Sequence, residues 1–204
     1  MGDNKRVHWL LAGLSICAIA GTAEAQTTAF AAGQGSPNNI VLAIPVTASI
    51  GGSCGFETNA APNAVHAVAD ADQGFLRDTA FTLNCSGPSR IAVVSQNGGL
   101  VAAGQAPAGY TLTLPYSVDV TMAATNGDIA SAVCLAESLT TASAAPCSFR
   151  GTASLTTGLR LGSASVAQGG SRIRVSAPAF AGGAVPMAST AYTDTLIVTL
   201  GASL

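Results

Sequence analysis

Few side chains in this chain can do acid–base, nucleophilic or metal chemistry. There are two histidines, five cysteines and ten Asp or Glu in 204 residues. His66, Asp70 and Asp72 lie close together and could be imagined as a metal site. They sit in a stretch rich in small residues, with neither the repeated oxygen ligands nor the closing Glu of a calcium loop, so a solvated loop is the expected role. Serines are numerous, but none stands in Gly-x-Ser-x-Gly, and a triad would have to recruit His66 and a distant acid. Gly51-Gly52-Ser53 reads as a turn rather than a phosphate cradle, because no Lys follows. No catalytic residue, metal or cofactor is therefore expected, and a secreted hydrolase is a remote reading.

Two further groups stand out by their phase in the sequence. Asp194 falls among the inward-phased residues of the last apolar run. It is either a hydrogen-bonded buried acid or an acid at an exposed strand start, and the second is expected. Arg172 and Arg174 alternate with Ile173 and Val175 and are expected to form a solvated outer face.

Composition narrows the class of partner. Charged residues make up 9% of the chain, against about 25% in an ordinary soluble domain. The formal charge is −2, so there is no basic field to hold nucleic acid. Residues 1–25 read as a secretory signal peptide. Lys5 and Arg6 form a positive start, Val7–Ala20 is a mostly apolar run, and Ala23-Glu24-Ala25 offers a small-x-small cleavage site. The run is shorter than the roughly 20 residues that span a bilayer. Cleavage would leave four cysteines, Cys54, Cys85, Cys134 and Cys147, and one histidine.

An even cysteine count in an exported chain points to two disulfides. Three pairings are possible, and the sequential one is favoured because it closes two local loops. Cys54–Cys85 would contribute about 3.7 kcal/mol and Cys134–Cys147 about 3 kcal/mol in the chain-entropy model.

The elements that must position these residues are written with a period of two. Ile40, Leu42, Ile44, Val46, Ala48 and Ile50 share one phase, and so do Tyr110, Leu112, Leu114, Tyr116, Val118, Val120 and Met122. Shorter runs put Thr79, Phe81, Leu83 and Cys85 on one face, and Leu196, Val198 and Leu200 on another. Turn signals at Gly51-Gly52, Ser86-Gly87-Pro88, Asn97-Gly98-Gly99, Asn126-Gly127, Gly169-Gly170 and Gly182-Gly183 separate them. A helical pattern is absent, apart from a turn considered around Ala132–Leu139. Short strands and frequent turns predict an all-β protein, a β-sandwich.

Residues 26–50 do not read as a core strand joined by short loops. A polar, small-residue stretch, 26–39, precedes about eleven alternating residues. The backbone groups of such a strand must pair somewhere. They pair within their own domain, or with the edge of another subunit by β-augmentation.

The chain resembles the spore coat protein U domain family. Tyr192-Thr193-Asp194-Thr195-Leu196-Ile197-Val198-Thr199-Leu200 is similar to that family's closing motif, Tyr-x-Asp-x-aliphatic-x-Val-Thr-aliphatic. Pro178-Ala179-Phe180-Ala181-Gly182-Gly183 resembles the small-residue stretch before it, and Leu114-Pro115-Tyr116 the central Leu-x-Tyr strand. Thr79–Cys85 resembles the strand ending in the second cysteine, and Cys54 matches the first. The resemblance covers roughly residues 46–204.

The family includes subunits of archaic chaperone–usher pili, such as the Csu type. The resemblance implies an incomplete immunoglobulin-like β-sandwich, completed by a donor strand from another subunit. Its implied partners are other pilus subunits, a periplasmic chaperone and an outer-membrane usher. Its implied place is the cell surface, reached through the periplasm, in adhesion and biofilm formation. On this reading 1–25 is the signal peptide, 26–50 the N-terminal extension and 51–204 the pilin domain. Ile40, Leu42, Ile44 and Val46 would be the donor side chains, and Leu196, Val198 and Leu200 would line the acceptor groove. The alternative is a standalone secreted binding module or tip adhesin, with recognition in the loops around Gly98–Gly109 and Cys134–Cys147.

Overall fold

A computed structural model describes residues 52–188 and 191–203. They form thirteen strands and two short 3-10 turns. The strands are β1 (Cys54–Phe56), β2 (Phe75–Cys85), β3 (Ser89–Ser95), β4 (Leu100–Ala102), β5 (Tyr110–Thr111), β6 (Thr113–Leu114) and β7 (Ser117–Ala123). They continue as β8 (Ile129–Leu135), β9 (Leu159–Leu161), β10 (Ser165–Ala177), β11 (Val185–Pro186), β12 (Tyr192–Thr193) and β13 (Leu196–Ala202). The protein is all-β, as its alternating pattern predicts.

The largest sheet has the order β1-β2-β10-β7-β8. Its pairs are antiparallel throughout. Two three-stranded sheets, β13-β3-β9 and β12-β4-β6, and a parallel pair, β11-β5, complete the set. The turn at Ser86–Pro88 carries the chain from β2 in the large sheet to β3 in a smaller one. Alternate side chains from both sheets then fill one core. Phe81 and Leu83 come from β2, Val118, Val120 and Met122 from β7, and Ile173 from β10. Ile91 and Val93 come from β3 and Leu161 from β9. Burying each such side chain contributes about 1.5–3 kcal/mol. This shared core is the main reason that the sheets hold together. Gly158, before β9, has φ +109°, and a Cβ there would stand 2.7 Å from the Ile91 carbonyl oxygen. Only glycine lets β9 lie this close to β3.

The run 110–122 is not one strand. Its inner phase is kept from Leu114 on, with Leu114, Tyr116, Val118, Val120 and Met122 all buried, but Tyr110 at its start is 48% exposed. The backbone nevertheless breaks at Pro115. β6 pairs with β4 in one sheet, and β7 pairs with β8 and β10 in another. Proline has no N–H to continue a ladder, so the strand changes sheet where that donor is missing. Around 132–139 the chain finishes β8 and adds a single 3-10 turn, Ala136–Leu139, rather than a helix. The stretch Gly98–Gly109 is not all loop either, since it contains β4.

Candidate functional site

The last strand, β13, pairs with β3 over seven residues, from Leu196 with Ser95 to Ala202 with Ser89. It stands at the edge of its sheet, and among the described residues no strand pairs with its other side, although β1 lies close to it. Leu196, Val198 and Leu200 face the core, as their phase predicts, and pack against it only partly buried. Ile91 and Val93 on the neighbouring strand are 0% exposed. On the outer face Ile197 is 53% exposed. The edge thus presents unpaired backbone groups beside a row of large apolar side chains that the domain does not fully cover.

β13 begins at an unusual junction. Between the pairs Thr193–Val101 and Leu196–Ser95, two residues on one strand face five on the other. The excess is the Asn97-Gly98-Gly99 turn, with Gly98 at φ +73°. Its loose backbone donors need acceptors. The Asp194 carboxylate supplies them. Oδ1 accepts from the Asn97 N–H at 3.0 Å and the Thr195 N–H at 2.7 Å. Oδ2 accepts from the Ser95 hydroxyl and from the Tyr116 hydroxyl, each at 2.6 Å. Ser95 Oγ in turn accepts from the Gly98 N–H at 2.8 Å. One carboxylate therefore takes the backbone donors after β3 and before β13 and ties both to the Tyr116 hydroxyl beside β7.

The expectation that Asp194 lies at an exposed strand start is corrected here. It precedes the strand but is half-buried, with four donors. The cause is the buried Tyr116, whose hydroxyl must find a partner. Burial, and then the neighbouring carboxylate, push the Tyr116 phenol well above its ordinary value of 10.0. Tyr192 anchors the same region, donating to the Met187 carbonyl at 2.7 Å. Ser95, Asn97 and Tyr116 were not foreseen as partners of Asp194. The signal that could have found them is the inward phase shared by Tyr116 and Asp194.

The disulfides form the favoured sequential pairing. Cys54–Cys85 links directly opposed residues of β1 and β2, and Cys134–Cys147 ties the end of β8 to the loop after it. Part of the segment that this bond closes is packed into the domain. Leu139 and Phe149 are fully buried, and Arg150 Nη1 donates to the carbonyls of Ser143 and Ala145. Ile40, Leu42, Ile44 and Val46 lie outside the described residues.

His66 Nε2 is 2.7 Å from Thr79 Oγ1 across to β2. His66, Asp70 and Asp72 line a cavity of about 710 Å³ together with Leu100, Leu114 and Tyr192. Among the described residues no three His, Cys, Asp or Glu side chains come together to hold a metal. Arg174 is not merely solvated: it makes a two-pronged ion pair with Asp78, at 2.7 and 2.9 Å. That bond holds the Asp78 carboxyl below its ordinary range. Asp128 is held low in the same way by the Ser163 hydroxyl and then by Asn126.

No protein-family model, curated protein or solved structure matches the chain.

Proposed function

We propose that this protein is an exported structural subunit of a chaperone–usher pilus, an incomplete immunoglobulin-like sandwich that polymerises by accepting a strand from another copy. The observation that carries the reading is the β13 edge. It has seven residues without a partner strand on one side, among the described residues, and large inward side chains left half-covered. An unprotected edge of this kind invites pairing with another chain. Ile40, Leu42, Ile44 and Val46 alternate over seven residues, the length of that edge. Backbone bonds from an added strand would give affinity, and alternate side chains would fill the space beside Leu196, Val198 and Leu200. Two disulfides in a chain this size fit an oxidising compartment.

The test compares the chain purified from a periplasm with a variant lacking residues 26–45. The reading expects a ladder of oligomers on unheated denaturing gels that collapses to monomer on deletion. Monomers from both proteins, equally soluble, would overturn it and move attention to a standalone binding module.

A further inference from the structure

The edge strand β8 carries its large side chains on the outer face. Ile129, Val133 and Leu135 are 68%, 63% and 48% exposed, whereas Ala130, Ala132 and Cys134 turn inward. The outward residues also hold the backbone groups of the open edge. The Ala124 N–H bonds the Asp128 carbonyl, and the Ala136 N–H bonds the Tyr116 carbonyl. With the register between β7 and β8, these bonds place the N–H and C=O of the even-numbered residues on the β7 side. Those of Ile129, Ser131, Val133 and Leu135 therefore point away from β7. Among the described residues no strand pairs with them, although β9, itself paired with β3, lies close by.

Open edges are ordinarily blunted by charge, proline, a bulge or shortness. β8 has none of these. It is seven residues long, has no charged residue or proline, and keeps unbroken register with β7. Its pattern also reads nearly the same in both directions about Ala132. Large Ile129 mirrors large Leu135, small Ala130 mirrors Cys134, and Ser131 mirrors Val133. A second copy supplies the matching pattern by identity. Laid antiparallel with the two Ala132 residues opposed, two β8 strands bring each open N–H of one to an open carbonyl of the other. The odd-numbered residues become hydrogen-bonded pairs, and the small inward side chains fall in the closer, non-hydrogen-bonded pairs. On the outer face Ile129 of one copy covers Leu135 of the second, and the two Val133 side chains become diagonal neighbours.

We propose that β8 is a self-pairing edge, through which two copies of this protein join antiparallel about a two-fold axis at Ala132. A single edge of this length belongs to the small, transient class of interface, so the pairing is reversible and concentration-dependent. Asp128 and Glu137, both exposed, stand just beyond the two ends of the strand. The two-fold brings Asp128 of one copy near Glu137 of the second, so the pairing strengthens as salt screens them. It does not require strand addition at β13.

Cross-linking tests it. Ser131→Cys places an exposed thiol one residue from the axis. The full exported chain carrying it is treated with a short bis-maleimide and run on heated denaturing gels, on which only covalent links survive. Ala80→Cys, exposed on the outer face of β2 in the same sheet, measures random collision. Ser131→Cys is expected to give about tenfold more dimer than Ala80→Cys, the ratio that 1.4 kcal/mol produces. Adding Val133→Asp to Ser131→Cys is expected to remove about that excess, because two carboxylates then face each other across the axis. Val133→Arg is expected to do the same. Mixing the Asp and Arg proteins is expected to restore the dimer, because opposite charges then meet. Val133 is exposed, so neither change burdens the core.

No more dimer from Ser131→Cys than from Ala80→Cys would overturn the proposal. So would a failure of the mixture to recover, which would mean that β8 meets something other than itself. Strand addition at β13 is read separately, from the ladder on unheated gels, and stands or falls independently.

Discussion

The strands β8 and β13 are each seven residues long, and each stands at a sheet edge among the described residues. Their inward faces differ. β8 turns Ala130, Ala132 and Cys134 inward, small side chains that leave little apolar area uncovered. A disulfide and a buried 3-10 turn then close that side. β13 turns Leu196, Val198 and Leu200 inward and leaves them half-covered, with no covalent tie of its own. Large apolar side chains at an unfinished edge stabilise whatever strand covers them, at about 25 cal/mol per Å² buried. The difference between the edges is therefore one of capacity to bind. β8 offers backbone groups beside small inward side chains and carries its large apolar residues, Ile129, Val133 and Leu135, exposed on the outer face, whereas β13 offers backbone groups beside large inward ones.

The sharpest way to break this comparison is to place a charge on each edge strand. Val198→Asp on β13 is expected to abolish the oligomer ladder, because an added strand would have to bury the carboxylate. Val133→Asp on β8, where the side chain is 63% exposed, is expected to leave it unchanged. Denaturing gels of the unheated proteins check both.

The next effect concerns closure. Replacing Cys134 and Cys147 with serine is expected to cost about 3 kcal/mol in unfolding free energy. The oligomer ladder should persist at temperatures where the variant stays folded, because β13 is untouched. Loss of the ladder without loss of stability would erase the distinction between the edges.

A smaller effect tests the junction. Tyr116→Phe removes one hydrogen bond to a carboxylate, worth about 1.5–3 kcal/mol, as read from denaturant midpoints. Its pH dependence has a definite sign. The phenol's folded value is raised, so its contribution is fully present below the ordinary tyrosine value near 10 and is lost as pH rises beyond it. Stability of the parent is expected to fall on that alkaline limb, and Tyr116→Phe to flatten it. The smallest effect is at Asp78 and Asp128. Their folded values are lowered, so their contributions are present above the ordinary carboxylate range and lost as pH falls through the folded values. Asp78→Asn should slightly reduce acid sensitivity, measured by thermal unfolding across pH 2–6, without affecting assembly.

Much of the architecture was readable from alternation alone. The inner faces of β2 and β7, and of β10 from Ser171 on, follow the period of two, because burial on one side of a pleated strand is a local property of the sequence. The sequential cysteine pairing was readable as the shorter loop closures. The sheet change at Pro115 was not, although its cause is local, because a missing N–H says that a ladder stops and not where the chain goes next. The Asp194 junction was read the wrong way round. Its burial depends on Ser95 and Asn97 at the end of β3 and on Tyr116 before β7, and the inward phase of Asp194 alone does not say which partners arrive. The Arg174–Asp78 pair lies across strands 96 positions apart and is hidden for the same reason.

The central claim is that β13 is an unfinished edge that a second copy completes. Hydrogen–deuterium exchange of the Leu196–Ala202 amides, in the isolated monomer and in the assembled polymer, tests it most directly. Amides bonded to β3 are expected to be slow in both. The alternate amides, which point away from β3, are expected to exchange rapidly in the monomer and to become slow on assembly. Protection of every β13 amide in the monomer, unchanged on assembly, would contradict the account.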